Sequence, residues 1–204
     1  MIIAIINFLT LTISLFLFSF LYLLSIQPAK RSKKHGEKAW ADCKKLRSVS
    51  GFFEMILLTD VILWIWFPLP LVNTWNISPN ILVGVIVAAC MIIPCALLMI
   101  KGIVDAGSET LSPSKETEMY GGIYNHIRHP QSAGEFPTFV ALGFLVNSWF
   151  IVILMSIYII LYVPIMIFYE EKDLVSRFGE KYINYQAQTG AIFPKLRKQN
   201  PVSP

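Results

Sequence analysis

Two stretches of this chain concentrate residues able to do chemistry. The first runs Tyr120-Gly121-Gly122-Ile123-Tyr124-Asn125-His126-Ile127-Arg128-His129-Pro130. Its glycine pair gives a backbone that takes unusual dihedrals and lets a ligand come close. His129 stands before a proline, which biases it away from helix. Pro130 suits the first turn of a helix that follows, and the N–H groups at such a start attract a carboxylate or phosphate. Arg128 adds a permanent charge with a two-pronged donor. The second stretch begins Tyr169-Glu170-Glu171-Lys172-Asp173-Leu174 and continues through Arg177-Phe178-Gly179-Glu180-Lys181-Tyr182 to Tyr185. Leu174, Phe178, Tyr182 and Tyr185 follow a helical spacing and predict one helix face. Each residue alone has an ordinary use as a turn, a cap or a contact to lipid phosphate. Packed just before one helix, the first set favours a ligand site. A third set, Glu54, Asp60 and Glu135, lies in apolar runs. Ionisable groups there are costly and face a bundle interior or a polar cavity. Glu54 can pair with nearby basic residues, Asp60 lies deeper, and Glu135, one turn beyond Pro130, is the better functional candidate.

The elements that must hold these residues follow from composition. The chain has 204 residues, of which 55% are apolar and 15% charged, against about 25% charged in an average soluble domain. It is too apolar for disorder. Its three cysteines fit no disulfide framework, metal set or redox spacing. A nucleic-acid partner is excluded by the long apolar runs and modest basic excess. Nucleotide-binding glycine loops, H-E-x-x-H and the kinase motifs are absent. A membrane-crossing helix needs about 20 mostly apolar residues. Ile2–Ser25, Gly51–Val72, Asn80–Ile100 and Trp149–Tyr169 qualify, and the short run Ala133–Val146 makes a fifth crossing or a tight hairpin with its successor.

Charge sets the orientation. The segment from Lys30 to Arg47 holds eight basic residues against Glu37 and Asp42, so the positive-inside rule places it in the cytoplasm. With five crossings, the other nine basic residues, including Lys101, Lys115, Arg128, Lys172, Arg177, Lys195, Arg197 and Lys198, fall on the same side. The fold expected is therefore all-α: a polytopic membrane helix bundle with five transmembrane helices, the N-terminus outside and the C-terminus cytoplasmic. It forms a single membrane domain over 1–204. Residues 1–100 supply three spans with a basic loop at 28–48, and 101–196 form the functional core. The sequon Asn76-Ile77-Ser78 sits in a short uncharged turn and reads as chance.

Gly122-Ile123-Tyr124, Ile127-Arg128-His129-Pro130 and Gly134, followed by Glu170-Glu171, Leu174, Phe178-Gly179, Tyr182, Tyr185 and Phe193-Pro194, resemble the two motif blocks of the isoprenylcysteine carboxyl methyltransferase family. The match covers about residues 100–196. It is closest to the short prokaryotic members, and phospholipid N-methyltransferases share the general plan. The resemblance implies an integral membrane enzyme using S-adenosylmethionine at the cytoplasmic face, with a lipophilic acceptor entering from the bilayer. It implies cofactor contacts from Gly122, Ile123, Tyr124, His129 and Pro130, and from Glu170 or Glu171, while Arg128 fixes the block or the acceptor. Tyr124 or Tyr182 can stack on adenine. A carboxylate or thiolate acceptor needs no general base; an amine acceptor would need one, for which Glu135 or Glu171 is the candidate. Gln131-Ser132 departs from the family, which often has Tyr two residues after the proline. Two other readings compete. One is a membrane NADPH-dependent reductase of the sterol or enone type, which carries a segment similar to His129-Pro130 through Gly134-Glu135. The other is a non-catalytic lipid-holding protein. The acceptor's identity and the oligomeric state are not legible in the residues.

Overall fold

The structure is a computed structural model that describes residues 1–115, 119 and 121–195. Tyr120, Arg197 and Lys198 lie outside the described residues. In chain order the helices are α1 (Ile2–Ser25), α2 (Pro28–His35), α3 (Lys38–Leu63), α4 (Ile81–Ala106), α5 (Pro130–Leu145), α6 (Trp149–Phe178) and α7 (Glu180–Gln188). The architecture is all-helical. Its two isolated bridges are Asn76 with Ser148 and Ile127 with Gly190.

Local chemistry sets the boundaries. Asn80 caps α4 by accepting the Leu82 N–H at 3.0 Å. Pro130 opens α5 with φ already helical. Two expected elements differ. The second span begins earlier, at Lys38, and ends at Leu63. Lys and Arg are good helix formers, so the basic segment extends the helix, and Pro68 and Pro70 lie beyond its end. The face from Leu174 to Tyr185 belongs to two helices. Gly179 takes φ 58, a left-handed conformation that ends α6 and turns the chain into α7.

α1 packs along α3, α4 along α5, and α5 along α6. Leu11, Phe18, Leu57 and Val61 are buried between the first pair, joined by Asn7, whose Nδ2 donates to the Asp60 carbonyl at 3.2 Å. Phe136, Phe139, Tyr158 and Tyr162 form an aromatic cluster between α5 and α6. The α4–α5 seam is set by glycines. A Cβ on Gly134 would meet the Cys95 carbonyl oxygen at 2.3 Å, so only glycine permits that backbone approach, as at small-residue interfaces in membranes.

Among the described residues, three helical segments are long and apolar enough to cross a membrane: Ile2–Ser25, Ile81–Thr110 and Trp149–Phe178. Their outer faces expose large apolar side chains such as Phe16, Ile86, Leu97, Ile160 and Leu161, a surface suited to lipid. The bundle has two unlike ends. At one, Asn147 binds both the N–H and the carbonyl of Ser78, at 3.0 and 2.9 Å, and the loop between α3 and α4 carries no charge. At the other, the basic segments are tied together by Lys115–Glu37 at 3.0 Å, by Arg177–Glu109 at 2.8 Å, and by Arg47 donating to the Glu109 and Thr110 carbonyls.

Candidate active site

The polar segment before α5 is shaped by its backbone. Gly122 takes φ 62, and a Cβ there would meet the Asp105 carboxylate at 2.2 Å. That carboxylate accepts the Ile123 N–H at 2.7 Å, so Gly122 lets α4 grip the turn. The chain then runs extended and pairs with the C-terminal segment. The Arg128 N–H donates to the Gly190 carbonyl at 2.8 Å, and the His129 N–H to the Ala191 carbonyl at 2.9 Å.

This pairing aims two side chains at α6. His129 Nδ1 lies 3.0 Å from Glu170 Oε2, and its Nε2 lies 3.0 Å from Glu171 Oε1. Arg128 Nε donates to the same Glu171 oxygen at 2.6 Å, and its guanidinium also donates to the Gln186 and Thr189 carbonyls. Gln186 Nε2 donates to Glu171 Oε2 at 2.8 Å. Burial opposes a charge on His129, but hydrogen bonds and attraction from Glu170 and Glu171 outweigh it and raise its pKa to about 9. His129 is therefore an imidazolium at neutral pH, clamped between two carboxylates.

Arg128, His129 and Glu170 line a solvent-open cleft with a cavity volume of about 70 Å³. Tyr22, Tyr124 and Ser132 belong to its wall. Gln131 does too: its amide nitrogen lies 2.9 Å from Tyr124 Oη and 3.0 Å from Thr110 Oγ1. Tyr124 stays a neutral phenol because burial raises its pKa, against the lowering effect of the Gln131 hydrogen bond. The two glutamates are thus separated. Glu170 reaches the cleft, whereas both Glu171 oxygens are engaged by Arg128, His129 and Gln186. Tyr182 lies in an adjacent smaller pocket with Leu174, Phe178 and Tyr185. Burial lifts Tyr185 to about 12, and its hydroxyl donates to the Tyr124 carbonyl at 2.5 Å. Gly122, Ile123 and Pro130 flank the cleft rather than line it, and Glu135 lies one helical turn into α5.

Arg47, Glu109 and Arg177 line the same cleft and belong to no motif in the sequence. Arg47 read there only as part of a basic run. The Nε atoms of Arg47 and Arg177 are buried without a hydrogen-bond partner among the described residues, and Arg177 also stacks over Trp40 at 5.1 Å. No local spacing signals this group, because its members come from α3, the turn after α4, and α6.

A methanethiol S-methyltransferase from Pseudomonas deceptionensis is 32% identical over 161 residues, spanning 70% of this chain and 57% of the relative. The chain thus matches somewhat over half of that protein's length. Residues 80–181, which hold α4, α5, the Arg128-His129-Pro130 segment and both glutamates, match the model of the phospholipid methyltransferase family, and the chain belongs to that family.

Proposed function

We propose that this chain is an integral membrane S-adenosylmethionine-dependent methyltransferase acting on a lipophilic acceptor that arrives from the bilayer. The observation that supports it best is the cleft itself, whose lining brings Glu170, clamped by a charged His129, together with Arg47 and Arg177, whose Nε atoms have no hydrogen-bond partner among the described residues. These donors and acceptors fit the cofactor. Glu170 suits an ammonium or ribose hydroxyls, and Arg47 and Arg177 suit a carboxylate. Tyr124 offers an aromatic face for adenine. When bound, S-adenosylmethionine supplies a methyl group on a sulfonium, open to displacement by a nucleophile.

The chain's own residues hold, orient and exclude water. Glu171, with Arg128 and Gln186, locks His129 in place, and His129 locks Glu170. The C-terminal segment at Gly190 and Ala191 fixes Arg128 and His129 from the other side. An ionised acceptor, a carboxylate or thiolate, requires no base, so rate comes from positioning. The activity named for the Pseudomonas relative favours a thiol; the motif blocks favour a prenylcysteine-type carboxylate. An amine acceptor would bring in Glu135 as base.

Binding of S-adenosylhomocysteine and NADPH to the purified full chain in detergent tests the reading. S-adenosylhomocysteine binds, and Glu170→Gln weakens it about tenfold, the loss expected for one charge-assisted hydrogen bond. No binding at any reachable concentration overturns the methyltransferase, and tight NADPH binding supports the reductase. Labelled methyl transfer to a hydrophobic thiol and to a prenylcysteine then separates the acceptors.

A further inference from the structure

A second polar recess lies outside the cleft and shares none of its lining. It sits where α1 ends and α2 begins, lined by Leu24, Gln27, Lys30, Arg31, Lys34 and His35, with a volume of about 240 Å³. One wall is apolar and continues the membrane-crossing helix α1. The others are basic, and no acidic residue lines the recess. Among the described residues, none of Lys30, Arg31 and Lys34 has an ion pair. Lys30 Nζ donates to Gln27 Oε1 at 3.1 Å and lies 5.6 Å from the centre of the Tyr169 ring. Arg31 Nε is buried without a hydrogen-bond partner among the described residues, an unsatisfied donor beside the recess.

The recess is rigidly built. Asp173, itself buried, accepts the N–H groups of Ala29 at 3.2 Å and Lys30 at 2.8 Å. That capping holds α2 against α6 and fixes where Arg31 and Lys34 stand. Its carboxylate is consumed in doing so. The cations are left for an outside anion at the depth where an acyl chain meets its headgroup. We infer that this recess binds the phosphate headgroup of an anionic phospholipid, with Arg31 and Lys34 on the phosphate and Leu24 against the upper acyl chain.

Native mass spectrometry of the full chain in detergent with added phosphatidylglycerol or phosphatidylcholine tests this. Wild type retains phosphatidylglycerol in preference to phosphatidylcholine. Arg31→Gln with Lys34→Gln loses about tenfold of that retention, while Lys44→Gln with Lys45→Gln, equal in charge removed and at exposed positions outside the recess, keeps it. Should the first pair fail to fold, Lys34→Gln alone, at an exposed position, carries the comparison. Equal retention by both double variants overturns the site in favour of diffuse attraction. Displacement of the lipid by millimolar inorganic phosphate overturns the assignment to a lipid.

Discussion

His129 holds two carboxylates at once, and its protonation controls them both. In the unfolded chain its pKa is about 6.5; in the fold it rises to about 9. The native state therefore binds the extra proton between those values. Its contribution to stability is fully present below about pH 6.5 and disappears as pH climbs through about 9, a change on the order of 3 kcal/mol for a group this buried. The thermal midpoint in detergent should fall across that window for wild type. His129→Gln should start lower and stay flat. A wild-type midpoint constant from pH 6.5 to 9.5 would contradict the clamp. The same clamp explains why adjacent glutamates take different parts. On a helix, neighbouring residues point about 100° apart, so Glu170 meets the cleft while Glu171 turns toward Arg128 and Gln186.

At the scale of elements, the α4–α5 seam bears most directly on the site, because α5 starts at Pro130 and carries the clamp at its head. Gly134→Ala would place a methyl against the Cys95 carbonyl and the Met99 backbone. Overpacking of this kind costs about 1–3 kcal/mol. Gly51→Ala provides the contrast: its Cβ meets nothing within 4 Å, and replacing a helical glycine gains roughly 0.5–1 kcal/mol. Thermal unfolding of the two variants should thus shift in opposite directions, and a Gly134→Ala midpoint equal to wild type would refute the close approach. Some helix limits were legible from the residues: Ile2–Ser25 matches α1 end to end, and Pro130 and Trp149 open α5 and α6 as expected, whereas α2 lies in the expected basic loop and α3 and α4 do not end at Val72 and Ile100. The missed limits at Lys38 and Gly179 share a cause. Hydropathy reports where a membrane begins, and a helix continues until its backbone is broken.

Across the whole molecule, the described basic segments meet at one end of the bundle, and the uncharged loop between α3 and α4 meets the α5–α6 turn at the other. A membrane places the positive end inside. With α3 and α5 counted as crossings, five spans result, and a C-terminal reporter should be cytoplasmic in intact cells. An external signal would reverse the orientation and turn the cleft away from a cytoplasmic cofactor. α5, at 16 residues, reaches only about 24 Å of a hydrocarbon core of about 30 Å.

Some of this could be read from the order of residues alone. Apolar runs, proline positions and the placement of lysine and arginine are local quantities, and they were enough for the helical class, most helix starts and the two polar blocks, including Arg128, His129 and both glutamates. What depended on the folded chain was which of these groups face one another. Glu170 and Glu171 are alike as neighbours in sequence, and which groups each meets depends on the pairing of Arg128 and His129 with Gly190 and Ala191. Arg47, Glu109 and Arg177 are dispersed along the chain and become one wall only when α3, α6 and the turn after α4 pack together. Side-chain partnership between distant residues is a property of packing, and no periodicity carries it.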